Sequence, residues 1–404
     1  MADAVHTAER LAELQALPLA RKIQITQTRI IEWYQHYNGK VCVSFSGGKD
    51  STVLLHIARQ IYPDIPAVFS NTGLEYPEIQ RFVKAKENID IVTPSMRFDQ
   101  VVSTYGYPLL SKEVAEAIHY ARKIRSADGK HKETQFRRKD LNGERDYASE
   151  KLIQTSTARN RRTVLTGKMP NSNEAKPKSQ FNKDKWLPIA RDIPVMISHY
   201  CCFKMKKSPM KKYQHEHEYL PIIGTLAEES RVRRQSWIRN GCNAFDSKSP
   251  TSQPMSFWTE QDVLAYIVEN DLDIAPVYGE IVSVDEYGNE CPPIDITGEV
   301  GCHLKCTKCQ RTGCIFCGFG FHYDKGETRF QRLAQTHPRQ YEYSISGGQW
   351  VDNPAYDPSA PKMDGEWQNW NPKKIWVPSK KGLGMGKVFD MVNEIYGKDF
   401  YRYE

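Results

Sequence analysis

The chain has 404 residues, which exceeds the usual size of one domain, so we expect either one catalytic core with additions or two domains. Its formal net charge of +7 is modest for this length and by itself says little about partners. No apolar run is long enough to span a bilayer, and the acidic residues in the first twenty positions do not fit a secretory signal. These features argue against secretion and a membrane partner, and they predict a cytoplasmic protein.

Apolar spacing predicts alternating helices and short strands, beginning with a helix at residues 20–38 and a buried strand at residues 41–45 that ends at a glycine pair. The elements predicted next are a helix at 51–62, a strand at 67–70, a loop at 71–73 and a helix starting near Pro77. Further β-prone runs lie at 89–93, 162–166 and 219–224. Strands that alternate with helices predict an α/β fold with a doubly wound parallel sheet.

A glycine-rich loop lies between the first predicted strand and the following helix. Its sequence, SGGKDS, consists of Ser46, Gly47, Gly48, Lys49, Asp50 and Ser51. A helix N-terminus after a strand presents backbone N–H groups to an anion, and the serine hydroxyls and the lysine add donors and charge. Bound phosphates would repel the carboxylate of Asp50, so we predict that it orients Mg²⁺ on a pyrophosphate group. The Walker A spacing is absent, which argues against a kinase or GTPase.

The segment SFSGGKDS resembles the PP-loop of the adenine nucleotide alpha hydrolases, which include PAPS reductases, ATP sulfurylase small subunits and tRNA thiolation enzymes. The resemblance implies a Rossmann-type fold and cleavage of ATP between its α and β phosphates, to AMP and pyrophosphate. It also implies that Lys49 and Asp50 act in catalysis. Residues 312–330 resemble a subgroup of PAPS reductase-like proteins from bacteria and their phages, related to DNA phosphorothioation and iron–sulfur APS reductase proteins.

Two further segments extend the resemblance. Residues 71–75, NTGLE, resemble the part of PAPS reductases that holds adenine and ribose, which implies roles for Asn71, Thr72, Gly73 and Glu75. Residues 224–231, GTLAEESR, resemble a Gly-x-Arg-x-x-Glu-Ser segment near the phosphates, which implies roles for Gly224, Glu228, Glu229, Ser230 and Arg231. Leu226 stands where an Arg is often found, and Arg231, Arg233 and Arg234 are candidates to compensate. The plainer interpretations are an ordinary strand-end turn and an amphipathic helix with exposed arginines.

The cysteines form clusters rather than an even distribution. In a cytoplasmic chain such clusters indicate metal or redox chemistry more than disulfides. Cys201, Cys202, Cys314 and Cys317 resemble the ligand set of iron–sulfur APS reductases, which implies a 4Fe-4S cluster. Alternatively, Cys302, Cys306 and Cys309 join Cys314 and Cys317 in a run that can supply four thiolates to Zn²⁺. Cys42 lies in a predicted strand and is expected in the core.

A basic segment suggests either an anionic partner or a solvated insertion whose charges serve solubility. Residues 120–168 contain 14 Lys and Arg residues and 6 Asp and Glu residues, a difference of +8. The predicted organisation is an N-terminal helical segment at 1–39 and a nucleotide-binding domain at 40–285 with a basic insertion at about 120–194. A cysteine-rich region at 286–345 and a C-terminal elaboration at 346–404 follow.

The predicted activity is that of an ATP pyrophosphatase that uses ATP, Mg²⁺ and a cluster to transfer sulfur to a nucleic acid, either tRNA or DNA. A sulfur-donor protein such as a cysteine desulfurase would be a further partner. PAPS reductases carry a Glu-Cys-Gly-(Leu/Ile)-His tail, whereas the last cysteine here is Cys317, which argues against sulfonucleotide reduction. Three alternatives stay open: a PAPS or APS reductase-like enzyme, a sulfate-activating enzyme and a non-catalytic nucleotide-binding regulator.

Overall fold

The computed structural model describes residues 6–122, 184–291, 301–358 and 370–404. The α-helices are α1 Ala8–Gln15, α2 Leu19–His36, α3 Lys49–Ile61, α4 Pro77–Lys84, α5 Phe98–Tyr105, α6 Lys112–Arg122, α7 Leu187–Asp192, α8 Tyr200–Cys202, α9 Ser208–Glu216, α10 Arg231–Asn240, α11 Glu260–Glu269, α12 Arg329–Thr336, α13 Pro338–Ile345 and α14 Met385–Tyr396. The strands are β1 Val41–Ser44, β2 Ala67–Ser70, β3 Ile89–Val92, β4 Leu109–Leu110, β5 Leu220–Ile223, β6 Asn243–Ala244, β7 Thr251–Ser252, β8 Ile281–Val284, β9 His303–Cys306, β10 Gly318–Phe319, β11 Gln349–Asp352 and β12 Lys374–Val377. The strand predicted at 162–166 and most of the basic insertion lie outside the described residues.

The chain forms two compact units, each built from two chain segments. Unit 1 consists of Met1–Ser95 and Met205–Cys314, and unit 2 consists of Met96–Lys204 and Ile315–Glu404. Neither unit therefore coincides with one of the consecutive segments predicted from the sequence. Within the described ranges, no helix has the length and apolar character needed to cross a bilayer.

Unit 1 contains a six-stranded sheet with the order β3-β2-β1-β5-β7-β6, in which only the β6–β7 pair is antiparallel. Residues 41–43 of β1 are apolar and fully buried. Strand β1 pairs in parallel with β2 on one side and with β5 on the other, as is typical of a strand inside a parallel sheet. The chain adds β2 and β3 on one side of β1 and β5 on the other, so the order reverses beside β1. The predicted α/β fold with a doubly wound, mainly parallel sheet is confirmed, and the carboxyl end of β1 is its topological switch point.

Helix boundaries in unit 1 follow the sequence signals. The predicted helix at 20–38 is α2, and its buried face includes Ile30 and Trp33. Thr259 caps α11, and Asp262 in the first turn bonds back to the Thr259 backbone N–H and hydroxyl. The buried ammonium of Lys22 also lies 2.6 Å from the Asp262 carboxylate. This capping box therefore fastens α2 to α11.

Unit 2 is built around an aromatic core and two small sheets. Phe321 packs against Phe330, Phe389 and Tyr401, with ring centroids 4.7–5.2 Å apart. Strand β4 pairs with β10 in parallel, and β11 pairs with β12 antiparallel. No periodic pattern predicts β11 and β12, because each strand has only four residues and a long segment separates them. The C-terminal elaboration is thus partly regular structure.

Buried Arg122, at the end of α6, organises the backbone of unit 2. Its guanidinium donates to four backbone carbonyls between residues 189 and 195, at 2.6–3.1 Å. Burial lowers the pKa of Arg122 to about 9. The side chain therefore satisfies carbonyls around the C-terminus of α7 that the helix itself leaves without donors.

Candidate functional site

The glycine-rich loop connects β1 to α3 in a compact, internally bonded turn. Gly47 has a φ of +71°, and a Cβ added there would lie 2.7 Å from Val83 Cγ2, so only glycine fits. The Ser46 and Ser51 hydroxyls are 3.0 Å apart, and Ser46 Oγ accepts from the Gly48 N–H. Gly48 is the N-cap of α3. Two hydroxyls and a helix N-terminus consequently meet at the carboxyl end of the central strand.

This loop borders a cavity of about 270 Å³ within unit 1. Seven of its lining residues were predicted site residues: Ser46, Gly48, Lys49, Asp50, Ser51, Gly224 and Glu229. The others are Leu226, Arg233, Glu260, Tyr278, Arg311 and Thr312. An added Cβ at Gly224 would lie 3.0 Å from the Asp50 carbonyl oxygen, so glycine permits β5 to approach the start of α3. The polar lining suits an anionic or metal-bound ligand more than an apolar one.

Lys49 is buried and tied to remote parts of unit 1. Its ammonium lies 2.5 Å from Glu260 Oε1 and donates to the Gln310 carbonyl at 2.7 Å. The Tyr278 hydroxyl accepts from the Lys49 backbone N–H and also bonds the Thr312 hydroxyl at 2.6 Å. Residues from α11 and from the cysteine-rich region therefore hold the loop in place.

Asp50 carries an unsatisfied carboxylate oxygen. Among the described residues, its buried Oδ1 has no hydrogen-bond partner. Burial raises the pKa of Asp50, while the neighbouring Lys49 lowers it and Glu260 raises it. A buried carboxylate oxygen without a donor is suited to a hard cation, because Mg²⁺ is commonly held by one or two carboxylates together with substrate phosphates. Asp50 thus fits the predicted Mg²⁺, and Glu229 and Glu260 line the same cavity.

Two arginines converge on Glu229 in this cavity. Arg233, from α10, forms an ion pair with Glu229 Oε2, and Arg311 Nη2 lies 3.3 Å from Glu229 Oε1. Burial lowers the pKa of Arg233, and repulsion from Arg311 lowers it further. The two cations are therefore close enough to repel each other, and they share one carboxylate.

The segment at residues 71–75 closes a turn rather than lining this cavity. The buried Glu75 carboxylate accepts from the Thr72 backbone N–H and hydroxyl, at 3.1 and 2.7 Å, and Lys206 lies 3.5 Å from it. Asn71 accepts from the Gly73 N–H. These side chains have local structural roles, and their predicted contact with adenine or ribose stays a prediction.

The remaining residues of the 224–231 segment fix the ends of helices. Glu228 accepts from the Glu260 backbone N–H at the start of α11, and burial raises the pKa of Glu228. Ser230 caps α10 by accepting from the Arg233 N–H at 3.3 Å. Arg231 is the first residue of α10 and is not among the residues that line the cavity. Of this segment, Gly224, Leu226 and Glu229 reach the cavity.

One cysteine of the predicted zinc alternative is bonded to another cysteine, and the alternative stays a prediction for the remaining thiols. Cys302 forms a disulfide with Cys291, so its sulfur is not a thiolate ligand in this structure, and the preference for metal or redox chemistry over disulfides is wrong at this pair. The local reason is that the two residues flank a short stretch of chain and their Cα atoms are 6.5 Å apart. Cys306 and Cys309 are buried beside the cavity wall, where Cys309 Sγ donates to the Arg311 carbonyl at 2.8 Å.

The other predicted ligands divide between the units. Cys201, Cys202 and Cys317 belong to unit 2, and Cys314 is the last residue of unit 1. Burial raises the pKa of Cys317, and Cys202 is close enough to raise it further. In the parts of the chain that the structure describes, no three His, Cys, Asp or Glu side chains are grouped to hold a metal ion. The 4Fe-4S cluster at Cys201, Cys202, Cys314 and Cys317 stays a prediction. Cys42 is fully buried in the core, as predicted.

Sequence reasoning missed Glu260, Tyr278, Arg311 and Thr312 as cavity residues. Glu260 lies 211 residues from its partner Lys49, and local patterns do not report such a separation. Glu260 is also an acidic residue in the first turn of α11. Arg311 follows a C-x2-C motif that drew attention to the thiols rather than to the basic residue. The C-x2-C motif just before Arg311 was the sequence feature that could have pointed to this residue.

The fold and cavity define a class: doubly wound α/β proteins with a glycine-rich loop that lines a polar cavity at the switch point of the sheet. The family model for the phosphoadenosine phosphosulfate reductase domain matches residues 40–166 and 150–318, more than half of the chain. The chain belongs to this family.

Curated relatives support the assignment over a limited region. The phosphoadenosine 5'-phosphosulfate reductase of Serratia proteamaculans is 31% identical over 98 residues, which cover 20% of this chain and 40% of that protein. The protein of the same name from Vibrio campbellii is 29% identical over 106 residues, which cover 22% and 41%. The chain thus spans less than half the length of these relatives. A crystal structure of phosphoadenylyl-sulfate reductase from Candida auris matches with 12% identity and a TM-score of 0.31, over 67% of this chain and 90% of that one.

Proposed function

We propose that the cavity of unit 1 binds the anionic end of an adenine nucleotide, and that the chain is a sulfonucleotide reductase-like enzyme. One observation carries the proposal: the loop hydroxyls, the N-terminus of α3 and two arginines line one cavity at the switch point of the sheet. Ligands of open α/β sheets bind at such points. Membership of the phosphoadenosine phosphosulfate reductase domain family makes an adenosine phosphosulfate the first candidate substrate.

The chain's contribution to this reaction is electrostatic. Reduction breaks the bond between the sulfate sulfur and the bridging oxygen, the nucleotide leaves as a phosphate, and a dithiol supplies two electrons by becoming a disulfide while sulfite is released. Negative charge therefore develops on the departing phosphate. Arg233, Arg311 and the N-terminus of α3 are suited to stabilise that charge. Ser46 and Ser51 are suited to orient the same phosphate.

A second candidate is cleavage of ATP to AMP and pyrophosphate, which adenylates an acceptor. Asp50 specifically favours it, because its buried, unsatisfied oxygen fits a magnesium ion on a polyphosphate. Bound there, Mg²⁺ would neutralise phosphate charge. The predicted sulfur transfer to tRNA or DNA, the sulfur-donor protein and the iron–sulfur or zinc site belong to this candidate as further proposals. No step above relies on a cluster.

Product analysis distinguishes the candidates. The protein is incubated with adenosine 5'-phosphosulfate or its 3'-phosphorylated form plus a dithiol, and separately with ATP and Mg²⁺. Sulfite production supports the first candidate, whereas AMP and pyrophosphate from ATP support the second. Asp50→Asn should reduce ATP cleavage at least about tenfold, since a neutral amide is a poor Mg²⁺ ligand. Asp64→Asn, a change outside the cavity, is the matched control. Nucleotide binding without turnover would identify a regulator, and no binding would refute the proposal.

A further inference from the structure

Two tryptophans lie on the outward face of the small β11–β12 sheet in unit 2. Trp350 and Trp376 are paired residues of the two antiparallel strands, so both side chains leave the sheet on the same face. Their rings meet edge to face, with centroids 5.4 Å apart. The opposite face packs inward, because Ile375 and Val377 are buried. Trp350 is nevertheless 44% exposed, so this sheet presents a large aromatic ring to solvent.

Trp376, which supports Trp350, is fixed against the backbone. Its indole Nε1 donates to the Gly384 carbonyl at 2.9 Å. A Cβ added at Gly348 would lie 2.3 Å from the Trp376 ring, and one added at Gly384 would lie 2.7 Å from Nε1, so glycine at both positions admits the ring. The Trp376 backbone N–H donates to the Pro194 carbonyl at 3.0 Å. The aromatic surface is therefore preorganised, which lowers the entropic cost of binding a partner.

Exposed lysines flank the tryptophans at both ends of β12. Residues 370–389 contain no acidic residue and five lysines, which are Lys373, Lys374, Lys380, Lys381 and Lys387. All five are exposed, and none of them forms an ion pair among the described residues. Asp352 is the register partner of Lys374 and offsets one of these charges. The surface around the tryptophans thus carries an excess of positive charge.

Hydrogen bonds hold the two lysines that follow β12 beside the tryptophans. The turn at residues 379–382 carries Lys380 and Lys381, and the Gly348 N–H donates to the carbonyl of the last residue of this turn at 3.2 Å. Gly348 lies just before β11, so this bond places the turn next to the strand of Trp350. The first lysine of the turn follows the lysines at the start of β12 by six residues, which span at most about 20 Å.

We propose that this surface binds single-stranded nucleic acid, with a base stacked on Trp350 and the neighbouring phosphates at the lysines of β12 and its following turn. Every base has a flat face that stacks on an aromatic ring, and lysines that neutralise phosphates release counterions. The inference goes beyond the proposed function. The nucleotide cavity belongs to unit 1, whereas all residues of this surface belong to unit 2, so neither candidate reaction is needed for it.

A protein and a membrane fit this surface less well than a nucleic acid strand does. Lysine is depleted from the cores of protein–protein interfaces. Binding to a membrane surface uses a continuous apolar face, whereas the residues that share the outward face with the two tryptophans are Asp352 and Lys374. An isolated aromatic ring among lysines is instead typical of a groove that follows a nucleic acid backbone.

Fluorescence anisotropy of the full chain with labelled oligo(dT), oligo(U) and a DNA duplex, each about 12 nucleotides long, tests the stacking contact. The wild-type protein should bind the single strands more tightly than the duplex, whose bases are not free to stack on a side chain. Trp350→Ala should weaken single-strand binding at least about fivefold and remove this preference, and Trp350→Phe should retain most of the affinity. Tyr287→Ala removes an aromatic ring of unit 1 that is 83% exposed, and as a control it should change the affinity less than about twofold.

The salt dependence of the same titrations tests the lysines. Lys380→Gln combined with Lys381→Gln should make the slope of log affinity against log salt concentration shallower by about 1.4, or about 0.7 for each neutralised phosphate. Lys84→Gln combined with Lys86→Gln removes two charges from unit 1 and should leave the slope unchanged.

Three results would overturn the inference. The first is equal affinity of the wild-type protein for single strands and the duplex, and the second is equal single-strand affinity in wild type and Trp350→Ala. The third is binding to phosphatidylserine vesicles but to no oligonucleotide, which would assign the surface to a membrane. Sulfite or AMP production from the nucleotides alone should be the same in wild type and Trp350→Ala, so the proposed function is tested separately. Circular dichroism of each variant confirms that the fold is retained.

Discussion

Replacing Asp50 by Asn should stabilise the protein, whatever its effect on the proposed ATP cleavage. The carboxylate has a buried oxygen without a hydrogen-bond partner among the described residues, and burial raises its pKa. A buried polar atom left unsatisfied costs about 1–3 kcal/mol, and a charged atom costs more than a neutral amide. We therefore expect Asp50→Asn to increase the free energy of unfolding by about 1–2 kcal/mol. Lys49 keeps its bonds to Glu260 and to the Gln310 carbonyl, so the substitution leaves no ammonium unpaired.

Urea unfolding followed at several pH values, without nucleotide or Mg²⁺, measures this gain. Because the folded-state pKa of Asp50 lies above the ordinary value of 3.8, the folded protein binds the proton more tightly than the unfolded chain. The free energy of unfolding of wild type is therefore lowered by the full amount at a pH above the folded-state pKa of Asp50. This loss disappears as the pH falls to the pKa of Asp50 in the unfolded chain. Asp64→Asn controls for the loss of one surface charge. The reasoning would be refuted if Asp50→Asn lowered the free energy of unfolding, or if the difference between the variant and wild type did not change with pH. Either result would show that the carboxylate has a stabilising partner.

Three further predictions concern the fold around the site. Arg122→Met should lower the free energy of unfolding by at least about 3 kcal/mol in urea, because four backbone carbonyls lose a charged donor; a loss below about 1 kcal/mol would contradict its structural role. Gly47 and Gly73 have nearly the same φ, +71° and +73°, but only at Gly47 would an added Cβ contact side chains. Gly47→Ala should therefore lower the free energy of unfolding by about 1–3 kcal/mol more than Gly73→Ala in the same assay. Equal losses would mean that the contact relaxes. Thiol titration of unfolded protein should give eight thiols before reduction and ten afterwards, since Cys291 and Cys302 are bridged; ten before reduction would refute the bridge.

The sequence predicts the sheet and the loop because both depend on local signals. Strand β1 is a short apolar run that ends at a glycine pair, and Gly47 is required by a positive φ that few other residues adopt. The prediction of strands succeeds where neighbouring residues determine the outcome.

The cavity wall could not be predicted in the same way. Lys49 meets the Gln310 carbonyl across 261 residues of sequence, and no local period encodes that contact. The disulfide was missed because the expected compartment favoured thiols, although Cys291 and Cys302 are only 11 residues apart in the sequence. Arg311 is identified as a cavity residue only from the structure, which places this part of the cysteine-rich region beside the glycine-rich loop.

The pairing of β1 with β5 has a consequence for how the protein is made. Val41 pairs with Leu220, and 220 minus 41 leaves a separation of 179 residues. At a synthesis rate of about 5–20 residues per second, the ribosome needs roughly 10–40 s to deliver the second strand after the first. During that interval β1 can pair with β2, but the edge that will receive β5 stays open to any other extended chain. The nascent polypeptide therefore passes through a period in which a central strand of its sheet is a site for misassembly, and chaperone demand should be greatest then.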